Sequence, residues 1–314
     1  MIIVTGGAGF IGSNIVKKLN EEGITDILIV DNLSNSEKHL NLNSLKYVDY
    51  IDKKDFIENL DKFKHARTIF HQGACSKTTE TDGIYMMKNN YEYSKRLLHF
   101  AISNCINFLY ASSASVYGNG ENGFKEDPSC EYPLNVYAFS KFSFDNYVRD
   151  LKSKSKNIDS QILGLRYFNV FGYQENHKAS MASVPFHMFN QLKRKENIKL
   201  FEGSENFLRD FIFIDDVVKV NMFFYKNKKS GIYNCGTGKS RSFDDMAKAL
   251  IALEPKAKQE TVPFPKHLEG KYQVYTEADI SKLRAAGYTS NFHTLEEGMT
   301  KYYKKFLETS GYLK

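Results

Sequence analysis

A chain of 314 residues, 42% apolar and 25% charged with a net charge of +6, is long enough for one large α/β domain and a smaller one. No apolar run approaches the ~18 residues of a membrane span and no cleavable signal pattern is present, so a soluble, cytoplasmic protein is expected, with no membrane partner. Cys75, Cys105, Cys130 and Cys235 lie far apart without a C-x-x-C pair, so no metal site or disulfide framework is expected and buried reduced thiols are. The lysines are widely spread, and the short cluster Lys152, Lys154 and Lys156 beside Ser and Asn reads as a solvated helix end or loop, so no nucleic-acid partner is expected. A phosphorylated small substrate would equally favour the positive charge.

Met1 to Thr5 is a short β-branched run that meets Gly6-Gly7-Ala8-Gly9-Phe10-Ile11-Gly12 at once, followed by a helical stretch from Ser13 to Glu22 that ends at Gly23. The run satisfies Gly-x-Gly-x-x-Gly as Gly7, Gly9 and Gly12, and Gly-x-x-Gly-x-x-Gly as Gly6, Gly9 and Gly12. Such glycines permit a tight turn, let the backbone approach a pyrophosphate and pack the helix on its strand, while the helix N-terminus holds the anion. A second strand, Ile27 to Val30, ends in Asp31 about 20 residues further on, where a ribose-binding acid belongs. Asp31 favours NAD, because a carboxylate bonds a free 2′-hydroxyl and repels a 2′-phosphate. Asn32, Lys38 and Lys53 favour NADP. On charge alone the choice stays open.

Strands and helices then alternate. Thr68 to His71 predicts a strand running into Gln72-Gly73-Ala74, whose small residues suit close passage of a cofactor backbone. A helix is predicted over roughly Ile84 to Asn104, and the next strand, Phe108 to Tyr110, leads into Ala111-Ser112-Ser113-Ala114-Ser115-Val116-Tyr117-Gly118. Open parallel sheets bind ligands beyond the carboxyl ends of their strands, so Ser113 stands at the crevice.

The chain holds 20 tyrosines, and Tyr-x-x-x-Lys recurs as Tyr50/Lys54, Tyr91/Lys95, Tyr137/Lys141 and Tyr225/Lys229. Residues four apart share a helix face. A phenol titrates near ~10 and is a poor base at neutral pH unless a close positive charge favours its phenolate. Tyr137/Lys141 is the pair preceded by a strand-end hydroxyl, Ser113, able to bond a substrate oxygen while Tyr137 takes its proton and Lys141 supplies the charge. Tyr50/Lys54 is expected just past the third strand, Tyr91/Lys95 inside a helix, and Tyr225/Lys229 at a fraying helix end.

Thr5 to Gly12, Ser112 to Gly118 and Tyr137/Lys141 together resemble the extended short-chain dehydrogenase/reductase family, nearly along the whole chain. The resemblance implies a Rossmann-type doubly wound parallel sheet with a smaller mixed α/β substrate domain, divided as 1–169 plus 211–234 and 170–210 plus 235–314. Ser160 to Gly172 is expected as a sixth strand leaving the sheet, Phe201-Glu202-Gly203-Ser204 as a turn, and Arg209 to Val217 as a return strand whose arginine clamps a nucleotide diphosphate through bidentate bonds. Taken alone, Arg209 would more often pair with Asp210 or Asp216.

Asp31-Asn32-Leu33, Met86 to Tyr91, His177 to Ser183, Phe201 to Phe207 and Gly270 to Gln273 narrow the likeness to the family's epimerases of ADP-linked heptose. By that resemblance Gly6, Gly7, Gly9, Phe10, Ile11, Gly12, Asp31, Asn32, Lys38, Lys53, Gln72, Gly73, Ala74, Cys75, Ser76, Asn89, Lys141, Val170 and Lys178 would lie on NADP. Ser113, Asn169, Ser180, His187, Phe201, Glu202, Gly203, Ser204, Arg209 and Tyr272 would lie on the ADP-sugar. Carbon 6 of a heptose is a secondary alcohol with no neighbouring carbonyl, so inversion implies transient oxidation and re-reduction. The ketone turns between the two steps, and Lys178 would serve as a second acid/base beside Tyr137, with its pKa lowered by desolvation or by a charge such as Lys141. His177 and His187 are assigned no chemistry. Tyr173-Gln174 replaces the family's Pro-Arg, and Asn176 and Ala179 replace glycines. The resemblance also implies a homopentamer. The alternatives are a UDP- or dTDP-sugar 4-epimerase or 4,6-dehydratase, the latter disfavoured because Ser113-Ala114-Ser115 lacks the Asp-Glu pair it needs, and a dinucleotide-binding redox sensor without catalysis.

Overall fold

The computed structural model describes residues 1–155, 158–265 and 273–313. Its strands are β1 (Ile2–Thr5), β2 (Ile27–Asp31), β3 (Asp49–Asp52), β4 (Thr68–His71), β5 (Asn107–Ser113), β6 (Ile162–Tyr167), β7 (Asn169–Phe171), β8 (Ile198–Phe201), β9 (Leu208–Phe213), β10 (Gly231–Cys235), β11 (Ser240–Ser242) and β12 (Gln259–Val262). The helices are α1 (Phe10–Glu21), α2 (Lys53–Glu58), α3 (Gly83–Met86), α4 (Tyr93–Ser103), α5 (Val136–Lys154), α6 (Val184–Lys193), α7 (Ile214–Asn227), α8 (Phe243–Leu253), α9 (Ser281–Ala285) and α10 (Leu295–Thr309). Among the described residues no helix is long and apolar enough to cross a membrane.

Seven strands form one parallel sheet in the order β10-β6-β5-β4-β1-β2-β3. Helices cover both faces, so β1, β2, β4 and β6 are buried along their whole length, which is why they read as continuous rather than alternating apolar runs. The chain winds from β1 outward through β2 to β3, then returns to place β4 on the other side of β1. At that reversal the connections diverge, and a crevice opens beyond the carboxyl ends of the strands.

The expected single strand from Ser160 to Gly172 is two strands. β6 pairs with β5 and β10 as far as Tyr167, and Phe168 then leaves the sheet, its N–H bonded to the Cys235 carbonyl at 3.1 Å and its ring packed near Tyr117 and Phe124. β7 joins a second sheet, β11-β9-β7, where Asn169 to Phe171 run parallel to Phe211 to Phe213. β8 and β12 form a separate parallel pair. Tyr50 lies within β3 rather than past it. The helix expected from Ile84 to Asn104 is α3 and α4 joined by a wider π-type turn over Met87–Glu92. Cys105 is exposed at a positive φ of 53° and Cys75 is half-buried, so two of the four thiols depart from the expected burial.

Candidate active site

The crevice is a cleft of about 850 Å³. Its floor is the glycine turn. Gly6 has φ +67°, and a Cβ there would lie 2.6 Å from the Gly73 nitrogen; a Cβ on Gly12 would lie 2.1 Å from the Gly6 carbonyl oxygen. Gly6, Gly9 and Gly12 line the cleft with Phe10 and Ile11, whereas Gly7 does not. The absence of a Cβ on Gly7 serves packing, since one would meet the Val4 carbonyl at 2.9 Å and Ile29 at 3.0 Å. Of the two overlapping glycine patterns, Gly6/Gly9/Gly12 is therefore the one that faces the cleft.

Gly9 caps α1 without a side-chain hydrogen bond, and the helix has no acid in its first turn. Its amide groups and dipole are thus available to an anion. Gln72 lines the cleft with a buried Nε2 that has no partner among the described residues, while its Oε1 accepts from the Tyr167 hydroxyl at 3.0 Å. A buried unpaired donor beside a backbone cradle fits a dinucleotide.

Asp31 is turned inward. Its Oδ2 accepts from the Ala8 N–H at 2.9 Å, and its Oδ1 accepts from the Lys38 ammonium and the Asn32 N–H, both at 2.7 Å. Lys53, held below the usual lysine range by burial, donates to Asn89 Oδ1 at 2.5 Å. Asp31, Asn32, Lys38, Lys53 and Asn89 share one end of the cleft, with Gln72, Gly73, Ala74, Cys75 and Ser76 along its side.

α5 starts where Asn135 Oδ1 accepts the Ala138 N–H at 2.9 Å, which places Tyr137 in the first turn and Lys141 one turn on. Both line the cleft together with Ser113 at the end of β5. Tyr137 is half-buried, and desolvation raises its pKa above that of an ordinary phenol, with a Ser113 hydrogen bond acting in the opposite direction. Lys141 donates to the Ala111 carbonyl at 2.8 Å, and burial lowers its pKa to about 8, against the field of Asp145. The expected lowering of the Tyr137 pKa by Lys141 is therefore not what dominates in the protein alone. Desolvation is the largest influence on both groups.

The other three pairs have structural roles. The Tyr50 hydroxyl donates to the Asp31 carbonyl at 3.1 Å, Lys95 lies 4.7 Å from the Tyr91 ring centroid, and Lys229 donates to the Ala286 carbonyl at 2.6 Å.

Lys178 reaches the same cleft from a short helical turn over Asn176–Met181, with its ammonium 5.3 Å from the Phe10 ring centroid. Burial lowers its pKa, and Glu175, rather than Lys141, is the charge that acts on it. His177 also lines the cleft, pushed down to about 4 by burial and by Lys38 and Lys178, so it is neutral at pH 7. Asn169, Val170 and Ser180 complete the predicted lining, joined by Gln273, named in the sequence only within the stretch Gly270 to Gln273, and by Thr276, which was not named. Thr276 donates to Asn169 Oδ1 at 3.3 Å.

His187, Phe201, Glu202, Gly203, Ser204 and Arg209 are not part of that lining. Phe201 packs on Phe264 beside the β8–β12 pair, and Arg209 is buried with its guanidinium 5.8 Å from the Phe243 ring and a bond to the Leu208 carbonyl. Phe243 itself lines the cleft. Asp210 instead accepts backbone N–H groups from Thr237, Gly238 and Ala278, and Asp216 pairs with Lys219 and His293. Tyr272 lies outside the described residues.

Two buried residues behind the lining went unrecognised. Asn90 accepts the Cys75 N–H at 2.8 Å and donates to the Cys75 carbonyl and the Ser140 hydroxyl, tying the cleft loop to α5. Asp145 accepts from Tyr110, Ser112 and Arg166, each at 2.9 Å, clamping α5 onto β5 and β6. A signal existed for Asp145, because Tyr137, Lys141 and Asp145 form one row at four-residue spacing.

A parallel doubly wound sheet, a glycine cradle at its switch point and a Ser, Tyr and Lys set in one cleft define a dinucleotide-dependent enzyme. The family model for the NAD dependent epimerase/dehydratase family matches residues 2–236, and the chain belongs to that family. Among its relatives, the ADP-L-glycero-D-manno-heptose-6-epimerase of Brachyspira hyodysenteriae is 61% identical over the full length of both chains. The crystal structure of the Helicobacter pylori ADP-L-glycero-D-manno-heptose-6-epimerase superposes with a TM-score of 0.85 at 30% identity, covering 98% of this chain and 96% of that one. UDP-glucose 4-epimerase of Thermotoga maritima shares the fold with a TM-score of 0.83 at 26% identity, covering 98% and 99%.

Proposed function

We propose that this protein interconverts ADP-D-glycero- and ADP-L-glycero-D-manno-heptose at carbon 6, by transient oxidation to a ketone and re-reduction, in the supply of nucleotide-heptose for lipopolysaccharide inner core. The observation that carries the proposal is that Tyr137 and Lys178, from different parts of the chain, line one cleft with Ser113 and the glycine cradle. The 61% identity to the Brachyspira enzyme supports this sugar over the UDP-linked ones.

When bound, the nicotinamide dinucleotide supplies reversible hydride exchange. Gly6, Gly9, Gly12 and the start of α1 hold its pyrophosphate, and Gln72 Nε2 offers it a donor. Ser113 bonds the substrate oxygen, and Tyr137 takes or returns the proton at that oxygen. Lys141 remains an ammonium at pH 7 and favours the phenolate form of Tyr137 during turnover. Lys178, made more basic-form by burial, exchanges the proton after the ketone has turned. Lys38 neutralises Asp31, and with Lys53 beside it this end of the cleft tolerates a 2′-phosphate, which supports NADP. The ADP portion extends beyond the cleft lining towards the smaller domain, where Ser204, Arg209 and the turn around Gly203 lie. The protein acts in the cytoplasm as a homopentamer.

The purified protein is expected to carry NADP(H). Incubation with ADP-D-glycero-D-manno-heptose should yield the L-glycero epimer with no solvent deuterium at carbon 6. Deuterium at that carbon would refute the oxidative route, and failure to turn over the sugar would refute the substrate.

A further inference from the structure

The loop that delivers Lys178 is bonded at every residue leading up to it, and one set of those bonds comes from far along the chain. The Tyr173 carbonyl accepts from Asn14 Nδ2 at 3.2 Å. Gln174, wholly buried at φ +77°, donates its N–H to the Gly311 carbonyl at 2.8 Å, accepts the Leu313 N–H on Oε1 at 3.1 Å and donates Nε2 to the Asn41 carbonyl at 2.9 Å. Glu175 is also wholly buried and accepts from the Ser183 N–H and the Tyr302 hydroxyl at 2.6 and 3.0 Å. Asn176 donates to the Ser310 carbonyl at 2.8 Å, and the His177 carbonyl accepts from Asn35 Nδ2 at 2.9 Å. Lys178 follows, its N–H closed onto the Glu175 carbonyl.

The segment Ser310–Leu313 is itself shaped for this contact. The chain reverses after α10 through Ser310 at φ +55° and Gly311 at φ +87°. Leu313 is then buried, with its carbonyl bonded by Ser44 at 3.0 Å. A strained turn followed by a buried leucine holds two carbonyls and one N–H against Gln174 and Asn176. Ala179, just beyond Lys178, sits at φ +47°, a conformation that a side chain adopts only when its surroundings impose it.

We propose that Ser310–Leu313 is a positioning element of the active site, acting through Gln174 and Asn176 to hold Lys178 at its working position in the cleft. This rests on Lys178 being the second acid/base. A lysine on a freely moving loop would lose alignment with the substrate oxygen, and small misplacements of a reacting group are expensive in rate.

The test is a double-mutant cycle in the full chain. Gln174→Met with Asn176→Ala removes the side-chain bonds from the loop side and leaves the Gln174 N–H to Gly311 carbonyl bond in place, and Leu313→Ala loosens the segment without altering the loop, so a folding failure of one leaves the other. Each is expected to lower kcat about tenfold with KM and bound cofactor little changed, and to lower it no further in a Lys178→Met background. An equal loss in both backgrounds assigns a merely structural role and overturns the proposal, as does full activity of both variants beside an impaired Lys178→Met. Near-normal activity of Lys178→Met itself removes the second-base reading and this proposal with it.

Discussion

His71 makes the site sensitive to acid in a way that can be worked out bond by bond. It ends β4 immediately before the cleft residues Gln72 to Cys75. Thr5 Oγ1 accepts the Gly73 N–H at 3.2 Å and lies 2.6 Å from His71 Nδ1. The Ser94 hydroxyl donates to the Asn90 carbonyl, so it accepts from His71 Nε2 at 2.8 Å. The Ser94 bond thus sets the proton of a neutral ring on Nε2 and leaves Nδ1 to accept the Thr5 hydroxyl. Burial, together with the Lys141 charge, lowers the His71 pKa from 6.5 to about 3. Because the folded value lies below the unfolded one, the unfolded chain takes up the proton first, and stability is lost as pH falls from 6.5 towards 3. At about 1.4 kcal/mol per unit this one group accounts for about 2 kcal/mol between pH 6.5 and 5, and about 5 kcal/mol in total, against a typical stability of about 5–15 kcal/mol. Urea unfolding at pH 7.5, 6.5, 5.5 and 5.0 should show that slope in the native chain. His71→Asn, which cannot titrate there, should start less stable and fall more slowly. Parallel pH dependences for the two proteins would refute the assignment of the acid sensitivity to His71.

Tyr137→Phe should lower kcat by about 10²–10⁴ with little change in ADP-sugar affinity, since it removes a proton transfer and not a binding contact; single-turnover kinetics would expose a surviving rate. Gly12→Ala forces a methyl group to within 2.1 Å of the Gly6 carbonyl, so the turn must open; the purified protein should lose its bound cofactor and about 1–3 kcal/mol of stability, and retention of cofactor would count against the cradle. Lys38→Ala bares the Asp31 carboxylate and should shift the NADP-to-NAD affinity ratio towards NAD by about 10- to 100-fold, measured by reconstitution of the cofactor-free protein; an unchanged ratio would mean that Lys38 is only a surface partner.

Local pattern carried much of the architecture. Continuous apolar runs at Ile2–Thr5, Ile27–Asp31, Thr68–His71 and Ile162–Tyr167 mark strands buried on both faces, and the Gly6–Gly12 stretch between a strand and a helix marks the switch point, because both follow from backbone sterics over a few residues. Spacing on one helix likewise put Tyr137 and Lys141 on one face. It could not say what burial does to their protons. The raised Tyr137 and lowered Lys141 pKa values depend on how completely β5, the Cys75 loop and α5 close around them.

What the sequence by itself determined is the order of the elements and the residue types brought to the strand ends, since these are set by short-range periodicity and turn chemistry. Only the tertiary structure decided that β6 and β7 belong to different sheets, that Asp31 is paired with Lys38, and that Gln174 and Asn176 are bonded to Ser310–Leu313. Each of these depends on contacts between residues distant in the chain, where the choice is made by which partner satisfies a buried polar group, and no local pattern records that choice.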